Sequence, residues 1–234
     1  LRTNTVGDRN VAVGYGALYT MNPASNVDMM NVAVGYSAAY YGTTGTNNTA
    51  VGGYALQGNT TGSNNTAIGE QVLSGTSTAS SNTGVGTKSL QVNSTGTQNS
   101  ALGTNSLKAN TTGSYNTAVG YDALAANTTG GKNAAVGTYS LSTNTTGEYN
   151  TAVGYDALAD NTTGSYSTAL GYKALADNTT GVQNVAVGYL AGDSITEGDN
   201  NTCIGKDAGE SITTGDNNIC FGYNSQPTGA TESN

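Results

Sequence analysis

Apolar and polar residues alternate along this chain in short blocks that return at a fixed interval. The block Asn-Thr-Ala-Val-Gly at 116–120 recurs at 150–154, and related blocks end at a glycine in thirteen places, from Gly14 to Gly222. The first interval between these glycines is 21 residues, and the eleven later intervals are all 17. The chain is therefore an array of thirteen coils with one four-residue insertion.

Written from its asparagine, one coil reads N-T-A-V-G-Y-x-A-L-x-x-N-T-T-G-x-x, and we number its positions 1 to 17. Position 3 is Ala except at Gly84, Cys203 and Cys220, position 4 is always apolar, and position 9 is Leu in nine coils. Helical-hairpin repeats need more than about 30 residues, so a 17-residue coil excludes them. Alternation over positions 1–4 predicts a strand, and the glycines at positions 5 and 15 predict corners.

We therefore predict an all-β fold, a β-solenoid with two short strands per coil, at positions 1–4 and 6–9, and a return turn at N-T-T-G. The glycine at position 15 is expected at a corner that needs a positive φ. Each residue should stack about 4.8 Å from its equivalent seventeen residues later, so that Asn and Thr form ladders. The array should span residues 1–222 with an insertion loop at 19–30, and residues 223–234 should form a C-terminal exit segment.

One coil supplies few apolar residues to a core. Ala at position 3 is expected inside the solenoid, whereas Val at position 4 and Leu at position 9 should divide between that core and an interface, with the assignment open. An exposed apolar row along a thin solenoid implies a partner, and three identical chains around one axis would bury it. The rows predict a homotrimer in parallel register.

Composition excludes several functional classes. The chain has no His, which removes imidazole-based triads, metal sites and pH switches, and no acid/base pair or nucleophile constellation is visible, so we expect no enzyme activity and no cofactor. Seven Lys and Arg against fifteen Asp and Glu give no basic patch for nucleic acid. No apolar run approaches the roughly 18 residues of a membrane span, and no signal peptide opens the chain. Leu1 stands in phase at position 9, which suggests that more coils lie upstream.

Two pairs of residues exactly one coil apart are candidate sites. Cys203 and Cys220 share position 3, where two buried thiols are the expectation and a disulfide is the alternative, because in-register stacking aims both side chains the same way. Asp199 and Asp216 share position 16 and are weak metal candidates. A cation with oxygen ligands would relieve their repulsion, and screening by water explains them equally well.

Tyrosines and the insertion loop are candidate recognition elements. The position-6 tyrosines and others nearby are either sugar-stacking platforms or flank packing; they are Tyr121, Tyr155, Tyr172, Tyr189, Tyr115, Tyr149 and Tyr166. The loop is either an attachment loop or a cap packed against the solenoid, and its candidate residues are Met21, Asn22, Pro23, Met29 and Met30. The N-T-T triplets match the glycosylation sequon, although turn chemistry explains their recurrence.

The string G-x-x-N-T-A-V-G at 113–120 and 147–154 resembles a motif of the YadA-like head repeats of trimeric autotransporter adhesins, whose heads are trimers of left-handed parallel β-rolls. The fuller coil, together with A-G-x-S-I-T-x-G-D-N-N at 191–201 and 208–218, resembles phage tail-fibre repeats. The resemblance implies a non-catalytic shaft or head of a trimeric fibre, extracellular on a virion or cell surface, that attaches to a glycan or protein receptor. Within this interpretation a bacterial adhesin head is the nearest alternative, and an ice-binding solenoid and a self-assembling surface filament are the others.

Overall fold

The structure is a computed structural model and describes residues 4–227, so the exit segment is described only as far as residue 227. The described part is all-β, and no helix in it is long and apolar enough to cross a membrane. It contains fifteen short strands, numbered in chain order: β1 (Gly7–Asp8), β2 (Val11–Val13), β3 (Val27–Asp28), β4 (Val32–Val34), β5 (Thr49–Val51), β6 (Thr66–Ile68), β7 (Thr83–Val85), β8 (Ser100–Leu102), β9 (Thr117–Val119), β10 (Ala134–Val136), β11 (Thr151–Val153), β12 (Thr168–Leu170), β13 (Val185–Val187), β14 (Thr202–Ile204) and β15 (Ile219–Phe221).

The coils form two compact units, divided between Asn116 and Thr117. In the first unit β2 and β4 to β8 pair in parallel, each with the next. In the second unit β9 to β15 do the same, and every residue pairs with its equivalent seventeen positions later, as Ala152 does with Ala169. The prediction of a parallel β-solenoid of 17-residue coils is confirmed.

Each coil after the first has one strand rather than two, and the second strand of the first coil, β3, lies in the insertion loop. The strand covers positions 2–4, and positions 6–11 form a series of turns, so the predicted second strand at positions 6–9 is wrong. The physical reason is the backbone at positions 7 and 9, where Asp156 has φ 53° and Leu158 has φ 51°. These left-handed residues are incompatible with an extended chain.

The strand divides the inside of a coil from its outside. Ala152 at position 3 and Leu158 at position 9 are fully buried, whereas Leu170 at position 4 is 47% exposed. The Leu row therefore belongs to the chain's own core and the position-4 row lies outside, which settles the assignment that the sequence left open.

The glycine at position 15 serves close packing, and the prediction of a positive φ there is wrong. Positive φ occurs instead at the position-5 glycines, such as Gly154 with φ 144°. At Gly164, in position 15, a Cβ atom would lie 2.4 Å from the carbonyl oxygen of Gly181 in the next coil. A glycine avoids this clash between two neighbouring backbones, and position 15 is Gly in most coils, with Ala79 as an exception.

Two asparagine ladders run through the interior of the coils. At position 1, the Asn150 side chain donates to the Gly164 carbonyl (2.8 Å) and accepts from the Ser167 N–H (2.9 Å). At position 12, Asn161 donates to Asn144 Oδ1 (2.8 Å) and to the Gly164 carbonyl (3.0 Å). Since Asn161 and the other asparagines of the N-T-T triplets are buried, these sequon asparagines are structural and closed to glycosylation in the folded coils.

Candidate interaction surfaces

The outward side of the strands is a continuous exposed apolar surface in each unit. We call it the strand face and define it by coil positions 2 and 4. In the first unit its exposed members include Val13, Ile68 and Leu102, and in the second unit they include Val136, Leu170 and Phe221. Exposed apolar rows that repeat in every coil are unusual for a monomer and typical of an interaction surface.

The strand face is also free of charge. The chain has 22 charged residues, and none of them occupies positions 1–5 in any of the thirteen coils. Charges lie instead at positions 6, 7, 10, 11, 14, 16 and 17, in the insertion and in the exit segment. Depletion of charge at the centre with charge around the rim is the compositional signature of a protein–protein interface.

Tyrosines at position 6 form a second exposed row, the tyrosine row. In the second unit Tyr155 stacks on Tyr172 (ring centroids 5.5 Å apart) and Tyr172 stacks on Tyr189 (5.1 Å), with nearly parallel planes. Where position 6 is Thr138, Tyr139 from position 7 fills the gap through edge contacts with Tyr121 and Tyr155. In the first unit Tyr15 and Tyr36 stack in the same way.

This stacking bears on the sugar-platform interpretation. A sugar packs against the flat side of an aromatic ring. Tyr172 is stacked on both of its flat sides, and Tyr155 and Tyr189 each have one flat side covered by Tyr172. At position 17, Tyr149 and Tyr166 are likewise stacked (5.0 Å), and Lys132 lies over the Tyr149 ring. The geometry favours packing along the flank over sugar stacking.

Lys206 replaces a tyrosine within the row. Its Nζ lies 5.6 Å from the centroid of Tyr189 and 5.1 Å from that of Tyr223, so the ammonium group occupies the place of a stacked ring. A hydrogen bond to Asp207 at 2.6 Å is the main cause that raises the pKa of Lys206. The row therefore continues through a coil that lacks the aromatic residue.

Cys203 and Cys220 are both free and buried in the structure. They pair in register on β14 and β15, and burial raises the pKa of the Cys203 thiol to about 12. Gly209 makes room for them, since a Cβ atom there would lie 2.3 Å from Cys203 Sγ. In this arrangement the thiols act as core side chains in the slot that Ala fills elsewhere.

Asp199 and Asp216 are hydrogen-bond acceptors for the backbone of the preceding coil. Asp199 Oδ1 accepts from the Val182 N–H (2.8 Å), and Asp216 Oδ1 accepts from the Asp199 N–H (2.7 Å). In another coil the Ser165 hydroxyl oxygen accepts from the Glu148 N–H (3.0 Å). Asp at position 16 therefore has the same role as Ser at that position. Within residues 4–227 no group of three or more His, Cys, Asp or Glu is placed to hold a metal ion. These bonds account for both carboxylates without a cation.

The insertion loop has a buried part and an exposed part. Met21, Pro23 and Met29 are buried, whereas Asn22 and Met30 are exposed. The strand β3 within the loop pairs in parallel with β1, and Asp28 forms an ion pair with Arg9 (2.9 Å). Of the five candidate attachment residues, therefore, two present their side chains to solvent and three pack inward as a plug would.

No family model, curated protein or solved structure matches this chain. The surfaces therefore have to be weighed by their own chemistry. Of those described, the strand face is repeated in every coil, and the sequence predicted it as an exposed apolar row without assigning it to position 4 or position 9. The signal that reveals it is present in the sequence, because sorting the charged residues by coil position leaves positions 1–5 empty.

Proposed function

We propose that this chain is a non-catalytic structural segment, a shaft or head, of a homotrimeric fibre that takes part in attachment to a cell surface, most simply as part of a phage tail fibre. The observation that supports this function is the strand face, an apolar and uncharged surface repeated in every coil. Identical parallel chains would bury it against one another along their whole length. The assembly would be extracellular, on a virion or a cell surface.

A structural role also agrees with the uniformity of the coils. A specific binding pocket needs convergent side chains that do not repeat. Twelve coils have the same length and the same backbone plan, so they offer no insertion from which to build one. Contact with a glycan or protein receptor is therefore assigned to the exposed part of the insertion loop, around Asn22 and Met30, which a trimer would present three times at one level.

The ice-binding alternative is weakened by the threonine hydroxyls. Ordered water needs free hydroxyl groups on a flat surface, but at position 13 the Thr145 hydroxyl donates to the Thr162 carbonyl (3.0 Å) and the Thr162 hydroxyl to the Thr179 carbonyl (3.0 Å). Positions 13 and 14 are also bends rather than strands. A bacterial adhesin head shares the proposed architecture and differs only in its parent protein.

Light scattering after size exclusion tests the trimer. We expect a mass of about 70 kDa, three times the 23.4 kDa of one chain, at micromolar concentration. The mass of a single chain would overturn the proposal, and a mass that grows with concentration would favour the filament alternative.

A glycan array tests the attachment loop. Removal of residues 21–24 restores the 17-residue spacing and should abolish any glycan or cell-surface binding while the mass stays trimeric. Tight binding that survives the deletion would move recognition to the repeating coils. Thermal hysteresis of the intact protein would overturn the fibre function in favour of ice binding.

A further inference from the structure

Three rows of exposed or half-buried side chains follow one another along each coil in the second unit. Row 2 contains Thr151 and Thr168, row 4 contains Val153 and Leu170, and after the glycine corner comes the tyrosine row with Tyr155. Rows 2 and 4 lie on the same side of the strand because alternation places position 3 inside. All the residues named are exposed or half-buried.

The remaining sides of the second unit carry mostly acidic rows. Position 7 has three Asp, positions 10 and 11 have four acidic residues, and position 16 has three; they are Asp122, Asp156, Asp207, Asp160, Asp177, Asp193, Glu210, Glu148, Asp199 and Asp216. Repulsion between these carboxylates acts within one chain as well. The pKa of Asp193 is raised first by burial and then by the negative charges of Asp177 and Glu210. Two identical copies that met on these sides would bring like charges together, which suppresses association. The threonine rows at positions 13 and 14 carry one charge, Glu197, but they are not apolar. The band of rows 2, 4 and 6 is apolar and in this unit also carries one charge, Lys206, so it is the surface best suited to meet its own copy.

Symmetry then fixes which rows meet. In a ring of three parallel copies each contact is heterologous, so one edge of the band on one copy faces the other edge on the next copy. The middle row must lie nearest the axis. One edge of the band carries tyrosine hydroxyls and the other threonine hydroxyls, and both groups can donate and accept hydrogen bonds.

We propose that in the trimer row 4 lines the threefold axis, and that row 2 of each copy packs against the tyrosine row of the next copy. This inference rests on the proposed trimeric function and goes further, since it names the residues in contact. Thr151 of one chain would meet Tyr155 of its neighbour, while Val153 would meet Val153 of both neighbours.

Disulfide trapping tests the arrangement, in a background where Cys203 and Cys220 are replaced by Ala, the residue usual at their position. The double variant Thr151→Cys with Tyr155→Cys should yield covalent trimers under mild oxidation, because each copy supplies both halves of the contact. Thr151→Cys alone and Tyr155→Cys alone should yield none. Val153→Cys should yield covalent dimers from at most two thirds of the chains, since three thiols around one axis form one disulfide and leave one thiol free. Thr163→Cys, on the exposed position-14 row, is the matched control and should stay uncrosslinked.

The outcomes separate this inference from the proposed function. A trimeric mass with cross-links at Thr163→Cys, or with none at row 4, would overturn the row assignment and leave the trimer standing. Covalent dimers from Thr151→Cys alone would show a twofold contact and overturn the heterologous arrangement. A monomeric mass for every variant and for the unmodified chain would overturn the trimer itself.

Discussion

At the scale of single residues, the core adjusts its volume from coil to coil through paired substitutions. Position 3 is Gly84 in one coil, where a Cβ atom would lie 2.6 Å from Cγ1 of Val72. Val72 itself stands at position 8, which holds only Ala or Ser in the other coils. The large residue at one site is thus accommodated by the missing methyl group at the other. Close packing of this kind makes neighbouring core residues interdependent.

The interdependence predicts the outcome of a double-mutant cycle. Gly84→Ala should cost about 1–3 kcal/mol of unfolding free energy because its new methyl group overpacks against Val72. In a Val72→Ala background the same change should cost almost nothing, since both positions then carry residues found in other coils. Urea denaturation of the four proteins measures the coupling. Equal costs of Gly84→Ala in the two backgrounds would show that the sites are independent.

Close packing around position 3 predicts that a larger residue there destabilises the fold. Ala152 is fully buried, so Ala152→Leu should lower the unfolding free energy by about 1–3 kcal/mol in each chain through overpacking. Val153→Leu, one residue later on the outer side of the same strand, is the matched control and should be tolerated, because Leu170 occupies that row in the next coil. Thermal melting compares the two. An unchanged melting temperature for Ala152→Leu would contradict the buried assignment.

At the scale of one coil, hydrogen-bonded asparagines take the place that apolar side chains hold in an ordinary core. Their amide groups form hydrogen bonds both with the amide of the neighbouring coil and with backbone carbonyls. The polar groups of the narrow interior are therefore paired, and few large apolar side chains are needed to fill it. The sequence predicts such ladders, but it does not distinguish a surface ladder from an internal one. Burial of Asn161 and Asn150 depends on how the turns fold around them, which no periodicity reports.

An asparagine-to-aspartate exchange tests the internal ladder. Asn161→Asp replaces a donor of two hydrogen bonds with a carboxylate whose oxygens face Asn144 Oδ1 and the Gly164 carbonyl. The expected cost at pH 7 is about 3 kcal/mol or more, because the buried carboxylate faces two acceptors and keeps Asn178 Nδ2 (2.9 Å) as its side-chain donor. Burial raises the pKa of the introduced carboxyl. The loss should therefore be smallest below about pH 4, the unfolded value, and grow as the pH rises.

Asn200→Asp is the control for this exchange, since Asn200 is exposed at position 17. It should cost little at any pH. Denaturation curves between pH 3 and 8 compare the two variants, and a matching pH profile would place Asn161 at the surface.

The prediction of a second strand at positions 6–9 was wrong, although the sequence carries a signal against it. In the described part, 35 residues other than glycine have a left-handed φ, chiefly at positions 7, 9 and 17, and none of them is Val, Ile or Thr. β-Branched residues tolerate that conformation worst. Their absence from three positions, in a chain rich in Thr and Val, marks turns where the apolar pattern alone suggested an extended segment.

At the scale of the whole molecule, the coil is the unit of both sequence and structure. The fixed interval was sufficient to predict the solenoid and its register, since equivalent residues stack whatever their chemistry. Alternation predicted the strand at positions 1–4, which the structure has at positions 2–4. The interval was insufficient to orient rows 4 and 9, because the alternation that separates neighbours on a strand does not extend through the glycine corner and the turns that follow it.

Modularity predicts that whole coils can be removed. Deletion of residues 133–149, one full coil of the second unit, should leave a folded protein whose strands pair with new neighbours in the same register, because each coil contacts mainly the coils beside it. Deletion of residues 133–140 should unfold or aggregate the protein, since it places every later side chain on the wrong row. Circular dichroism with light scattering compares them. Equal damage from both deletions would contradict a repeat-based fold.

The left-handed residues also decide how such a chain reaches its folded state. Each costs about 1–2 kcal/mol outside its folded surroundings, and adjacent coils supply the bonds that hold it. The Asp156 N–H donates back to the Thr138 carbonyl (3.1 Å), and the Leu158 N–H donates forward to the Ala174 carbonyl (3.0 Å). A coil by itself therefore lacks the hydrogen bonds that hold these two left-handed residues. We therefore expect folding to begin with an unfavourable first pair of coils and then to spread outward, because each folded coil supplies the hydrogen-bond partners of the next.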